Sequence, residues 1–422
     1  MRTTENAIIR AEQVIARCKK LATFSEDKGS TRRTFLSVPM HACHEEIAKW
    51  LGALGAYVTV DAAGNLHGFY AAEQSAAPRV LLGSHLDTVP NSGAYDGVLG
   101  VTLAVALLEA LAEGRRFPFA IEVIGFSEEE GVRFGIPFIG SRALVGRIDE
   151  EFLNHVDRDE ISLRTAIKSF GQDPAELPRA ILPADTLAFL EFHIEQGPVL
   201  ESLGLPLGAV ESIAAQTRME FVFLGRTNHA GTTPMHLRRD ALAGAAEWIA
   251  AVERTAQSHP GLLATVGQIA AKPSAINVIA GEARVSLDVR HNSDEACVQA
   301  AELLGQQAQE IARRRGLALR QSVLLNQRAV AMDRFLIEQI EHAIRKTGCQ
   351  PHRMMSGAGH DAMILAEKVP AGMIFLRSPG GISHDPAESV LVEDVAKALQ
   401  CGSHLLEQLA NTRDLQKRMC RA

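Results

Sequence analysis

The segment from Val80 to Val101, VLLGSHLDTVPNSGAYDGVLGV, constrains this chain more than any other. It opens as a short apolar strand, Val80 to Leu82, and places His85 and Asp87 two residues apart. It then crosses a Pro/Asn/Ser/Gly turn to Asp96 and enters a run, Val98 to Leu111, that is apolar nearly all round. A helix with no polar face must be buried on every side. A short apolar strand leading into such a helix is the pattern of an α/β sheet. In those sheets the turn beyond the strand is where side chains meet ligands. His and Asp are nitrogen and oxygen ligands suited to Zn²⁺, Mn²⁺ or similar ions. The segment therefore predicts the first ligands of a metal site.

The rest of the chain is read around it. Helical spacing of Ile8, Ile9, Val14 and Ile15 predicts a surface helix over 6–20, and HACHEEIAKWL predicts another over 41–51. His41, Cys43 and His44 lie at the polar start of that second helix with no partner motif, and are read as structural. Strands are expected at 56–60 and 119–126, the latter running directly into SEEEGVRFG. Residues 147–186 are charged and weakly periodic, as short surface helices are. In LAFLEFHIEQGP, from Leu187, period two puts Glu191, His193 and Glu195 on one face. Alternating strands and two helices, 240–254 and 294–315, then read as an inserted β-rich layer. A helix over 333–347 and a final one over 391–410 return to the first pattern. The expected fold is α/β: a discontinuous catalytic domain, 1–211 and 330–422, with a central mixed sheet flanked by helices. An α+β domain, 212–329, is inserted in it.

A net charge of −7 and the lack of a basic run argue against nucleic acid as a partner. No apolar run approaches the ~18 residues of a membrane helix, and the first twenty residues lack a signal-peptide core. The six cysteines, Cys18, Cys43, Cys297, Cys349, Cys401 and Cys420, are scattered without a CxxC pair, which fits free thiols in a reducing compartment. The expectation is a soluble cytoplasmic protein.

His85, Asp96, the Glu129/Glu130 doublet, His193 and His384 all stand at apparent strand ends. Such a set can hold two divalent ions if one carboxylate bridges them. Two cations about 3.5–4 Å apart polarise a carbonyl and bring the pKa of a shared water to about 7. A free carboxylate must then carry that water's proton to the leaving group. A Glu doublet suits this division, one on the metal and one free.

The motifs GSHLDTVPNSGAYDGVLGV, SEEEGVRFG, EFHIEQGPVLE, GRTNHAGTTPM, INVIAGE, LDVRH, GAGHDA and GGISHDPAE occur in this order over about residues 80–390. Together they resemble the signatures of M20-type amidohydrolases, within them the hydantoinase/carbamoylase branch of N-carbamoyl-L-amino acid hydrolases, allantoate amidohydrolases and β-ureidopropionases. The resemblance implies His85 and His193 as end ligands, Asp96 as the bridging carboxylate, and Glu130 and His384 as the remaining ligands. Spacing alone leaves the frame of Glu128-Glu129-Glu130 open; the resemblance makes Glu129 the general base and Glu128 a bystander. Asp87 is expected to hold the His85 imidazole in its ligating tautomer.

For the inserted domain it implies Arg290 as a bidentate clamp on the substrate carboxylate, with Asn277 at the same end. His229, supplied by the partner of a homodimer, would donate to the developing oxyanion. Gln196, through its amide, and Gly359, through its backbone, would touch substrate; Gln216 and Arg218 are lesser candidates, and His360 is expected to support its loop. The implied cofactors are two divalent ions per subunit, Zn²⁺ or Mn²⁺ first, with Co²⁺ or Ni²⁺ also compatible. The implied reaction is hydrolysis of the terminal ureido C–N bond of a small carboxylic acid to ammonia and CO₂, with the inserted domain closing about hinges near 211–213 and 328–332. An aminoacylase or dipeptidase of the same fold and a non-catalytic ureido-acid binder are the rival readings. Two positions depart from the family's pattern: Ala280, where Pro is frequent, and Asp385, an extra carboxylate directly after His384.

Overall fold

A computed structural model describes residues 4–74, 77–112 and 116–412; Cys420 lies outside them. The chain divides into two compact units, Met1–Glu211 with Ala331–Ala422, and Ser212–Val330.

The larger unit is built on a nine-stranded mixed sheet. From one edge the strands run Tyr57–Val60, Leu66–Tyr70, Ala120–Phe126, Arg79–His85, Thr186–Ile194, Ala371–Leu376, Leu207–Ile213 and Val330–Ala331, with Arg353–Ser356 on Leu207–Ile213. The four central strands, Ala120–Phe126 to Ala371–Leu376, are mutually parallel, and antiparallel neighbours flank them. Three of the four are buried along their whole length, and Arg79–His85 is buried but for its first residue. This is why they read as unbroken apolar runs: both faces of a parallel sheet are covered by helices. Helix Val98–Ala112 lies directly on the strands Arg79–His85 and Thr186–Ile194 and is itself covered by helices Thr4–Ala22 and Val392–Asn411. Val98, Leu99, Val101, Leu103, Val105, Leu107 and Leu108 are all buried, so no polar face was needed.

Parallel strands share one direction, so all four deliver their carboxyl ends to one edge of the sheet. Ligands of open α/β sheets collect at that edge. His85 is the last residue of its strand and pairs with Phe126, so Glu129 and Glu130 leave the sheet beside it. His193 is the penultimate residue of the next strand, and the fourth strand ends at Leu376, eight residues before His384. The expected strand 80–82 is therefore longer, Arg79–His85, and carries His85 within it.

The smaller unit is a five-stranded antiparallel sheet, Ile269–Lys272, Glu282–His291, Ala215–Leu224 and Ala318–Gln327 in order, with Leu263–Thr265 also on Glu282–His291. Helices Ala241–Ser258 and Asp294–Arg314 cover one face around the buried Trp248, whose indole N–H donates to the carbonyl of Leu304 at 2.9 Å. The segment 275–291 holds two strands: Val278–Ile279 pairs with Asn228–His229, while Glu282–His291 pairs with Ala215–Leu224. Among the described residues no helix is long and apolar enough to cross a membrane.

Candidate active site

Three histidines converge on Asp96, which is buried. Its Oδ1 lies 3.3 Å from His193 Nε2 and 3.6 Å from His85 Nε2. Its Oδ2 lies 3.1 Å from His384 Nε2, and Glu130 Oε1 is 3.5 Å from the same nitrogen. One carboxylate thus faces two ligand groups, His85–Asp96–His193 and Asp96–Glu130–His384. The two histidines expected as end ligands share one group. Close approach of the Asp96 turn to His85 depends on Gly97: its φ is +66°, and a Cβ there would come within 2.4 Å of the imidazole.

The donor set fits cations. His85 Nδ1 donates to the main-chain oxygen of Asp87 at 3.0 Å and His193 Nδ1 to that of Ile194 at 2.9 Å. Each Nε2 is then left with a lone pair. These two nitrogens face each other at 3.3 Å, and the adjacent Asp96 Oδ1 is buried without a hydrogen-bond partner. Three converging lone pairs in a dry site repel unless a cation lies among them. Burial presses His85 down, but Asp87 and Asp96 carry it well above its ordinary value, so positive charge is favoured there. Burial also lowers His193, to about 4, which keeps its lone pair free. Burial works to raise Asp96, yet His384 and His85 hold it well below the usual carboxylate range.

Beside this set stands the Glu doublet. Glu129 is buried and groups with His85 and Glu130. Burial pushes Glu129 well up, and pushes Glu130 to about 7 with Asp96 adding to the rise. Glu128 is buried too, accepts from the Arg133 main-chain N–H at 3.4 Å, and joins none of the ligand groups among the described residues.

Asp87 differs from expectation. Its carboxylate is 3.6 Å from His85 Nδ1, and the hydrogen bond to that ring comes from its main-chain oxygen instead. The carboxylate oxygens accept the main-chain N–H groups of Glu129, at 2.9 Å, and Glu130, at 3.0 Å. Its side chain therefore positions the doublet. Gln196, at φ +58°, points its amide nitrogen at Asp96 Oδ2, 3.0 Å away, and at Ser383 Oγ, 3.2 Å away. Gly359 lies against Phe138, whose ring a Cβ there would meet at 2.7 Å. His360 bonds Ser356 Oγ at 2.8 Å, which suits loop support. Glu191, His193 and His360 form a further group, but the Glu191 oxygens already accept from Ser84 Oγ at 2.7 Å and Ala362 N–H at 3.0 Å. Asp385 is exposed, and its Oδ1 accepts the Ala387 N–H at 2.8 Å, as a turn-forming Asp does.

In the smaller unit, His229 and Asn277 are neighbours: Val278 pairs with His229, and the Ala230 N–H donates to Asn277 O at 2.9 Å. His229 is exposed, and its Nδ1 accepts the Gly231 N–H at 3.1 Å, so its proton sits on Nε2 as an outward donor. Arg290 grips Asp288 through Nε at 2.8 Å and Nη2 at 3.0 Å. Arg218 Nε and Gln216 Nε2 reach the same carboxylate at 3.0 and 2.7 Å. Sequence reasoning passed over Asp288; its signal was the i, i+2 spacing to Arg290, which puts both on one face of a strand.

Residues 81–408 match the pattern of peptidase family M20/M25/M40, and the chain belongs to that family of hydrolases. It is 38% identical over 407 residues to an N-carbamoyl-L-amino acid amidohydrolase of Geobacillus stearothermophilus, covering 96% of this chain and 99% of that one. It is 35% identical over 436 residues to allantoate deiminase 2 of Glycine max, covering 95% and 90%. The crystal structure of a hydantoinase/carbamoylase family amidase from Burkholderia multivorans superposes with a TM-score of 0.90 at 30% identity, covering 95% and 98%.

Proposed function

We propose that this chain hydrolyses the terminal ureido C–N bond of a small carboxylic acid, an N-carbamoyl-L-amino acid or allantoate, releasing ammonia and CO₂. The carrying observation is the Asp96 carboxylate, one oxygen toward His85 and His193 and the other toward His384, with the buried Glu129 alongside. The amidohydrolase and deiminase names of its relatives point to ureido substrates. His85, Asp96 and His193 would hold one divalent ion, and Asp96, Glu130 and His384 the other, Zn²⁺ or Mn²⁺ first and Co²⁺ or Ni²⁺ also compatible. Bound there, the ions would supply carbonyl polarisation and a water of lowered pKa.

Glu129 takes the proton of the attacking water and returns it to the departing nitrogen. Arg290 and Asn277 would take the substrate carboxylate. Asp288 already fixes the plane of the Arg290 guanidinium. Gln196 and Gly359 would complete the contacts. His229, with its Nε2 proton outward, would donate to the oxygen on which charge develops. We assign that histidine to a second copy of the chain. In support, Met235, Leu237 and Ile276, close to His229 or its paired strand along the chain, are 76%, 62% and 104% exposed, and exposed apolar side chains of this size invite burial. Residues 212–329 would thus serve as lid and dimerisation domain, and 1–211 with 330–422 as the catalytic domain.

The test is ammonia release by metal-stripped protein reconstituted with Mn²⁺ or Zn²⁺. The substrates are allantoate, N-carbamoyl-L-methionine, N-carbamoyl-β-alanine and a dipeptide, with Glu129→Gln in parallel. Metal-dependent ammonia from a ureido acid, reduced about 10²–10⁴-fold in the variant, is expected. Dipeptide cleavage without ammonia, or silence on every substrate with metal bound, overturns the proposal.

A further inference from the structure

We infer that Glu388 is a positioning residue of this centre, fixing the main chain at Asp96 and with it the carboxylate shared by both ligand groups. The inference rests on the two-ion reading above. Glu388 follows His384 by four residues, and it is buried while residues 384–387 are exposed. A charged side chain turned inward from an exposed loop needs a reason, since burial without partners is costly.

The reason is a pair of main-chain donors. A single oxygen, Oε2, accepts the N–H of Tyr95 at 2.8 Å and that of Asp96 at 3.1 Å. The turn is seated directly on this side chain: a Cβ on Gly93 would lie 2.5 Å from both Glu388 Cβ and Oε2. The contact joins two segments nearly 300 residues apart that each carry part of the Asp96–Glu130–His384 group. Asp96 Oδ2 and His384 Nε2 are 3.1 Å apart, so a shift of the turn by a fraction of that distance would alter the mouth of the second group. The His85 and His193 nitrogens are carried by sheet strands and do not depend on the loop. Loss of Glu388 therefore acts selectively, on the ion held with His384 more than on the one held between the two buried histidines.

The experiment is stepwise Mn²⁺ binding to the metal-stripped full chain, with kcat and KM on the best substrate, for wild type, Glu388→Gln, Glu388→Ala and Gly93→Ala. Gln keeps a carbonyl oxygen that can accept both N–H groups, and is expected to bind both ions nearly as wild type. Glu388→Ala is expected to weaken the second ion about 10–100-fold, as loss of an outer hydrogen-bond partner does, and to lower kcat with KM little changed. Gly93→Ala leaves Glu388 in place but drives the turn off it. It should reproduce the selective loss even if the Glu388→Ala chain does not fold. Wild-type affinity for both ions in the folded alanine variants, or equal weakening of both, overturns the inference and leaves the two-ion reading standing. Failure of the wild-type chain to bind two ions overturns the reading itself.

Discussion

Replacing Asp87 with Ala tests the internal scaffold of the site. Asp87 is fully buried, and its two oxygens accept the main-chain N–H groups of Glu129 and Glu130 at 2.9 and 3.0 Å. A hydrogen bond to a charged acceptor contributes about 1.5–3 kcal/mol, and an orphaned buried donor costs about 1–3 kcal/mol. Two donors lost together make Asp87→Ala destabilising by about 3–5 kcal/mol, toward the lower figure if water enters the space. Asp87→Asn keeps one acceptor oxygen and sets an NH₂ group against the other N–H, for roughly half that cost. Urea unfolding of the metal-stripped chain should rank wild type above Asn and Asn above Ala. His85 Nδ1 should keep its proton in the Asn variant, because the Asp87 main chain holds it, while loss of the Asp87 charge favours the neutral ring. A cost below about 1 kcal/mol for Asp87→Ala, or an altered His85 tautomer in Asp87→Asn, would refute the reasoning.

His67, clasped by Glu122 at 2.8 Å and Asp61 at 3.2 Å, should make stability pH-dependent. Burial opposes its charge, but those two carboxylates raise it from 6.5 to about 10. The folded state then holds a proton that the unfolded chain releases, so this contribution is complete below pH 6.5 and is lost as pH rises to about 10. The wild type should lose about 3–5 kcal/mol over that window relative to His67→Gln in denaturant titrations; parallel profiles would contradict this. Asp385→Asn preserves the acceptor for the Ala387 N–H, and should change stability by less than about 0.5 kcal/mol and metal affinity by roughly twofold at most. A large change in metal affinity would mean that the Asp385 charge does act on the site.

His85, Glu129, Glu130 and His193 were legible as candidates because they lie at or just beyond strand ends, and strand ends are readable from apolar runs. Val80–Leu82, FAIEVIGF and LAFLEFHI each announce a buried strand, and the chemistry follows at its carboxyl end. The roles of Asp87 and Glu388 were not legible. Both act on main-chain N–H groups far along the chain, 42 residues away for Asp87 and Glu129, and no side-chain pattern marks which N–H faces which carboxylate. Gln196 read as a substrate contact because its amide suggests one; its positive φ, which turns it onto Asp96, has no sequence signature in a non-glycine residue. Ala318–Gln327 was missed as a strand because it is an edge strand, largely exposed, with little alternation to detect. Asp385 stood out as an extra carboxylate beside His384 whose effect on the metals the sequence left open. The turn it caps faces outward.

The central claim is that Asp96 stands between two ions. Anomalous diffraction from crystals of the full chain grown with Mn²⁺ tests it directly. Two peaks about 3.5–4 Å apart are expected, one beside His85 and His193 and one beside Glu130 and His384, with the Asp96 carboxylate between them. A single peak, or two peaks that do not share Asp96, would contradict the account.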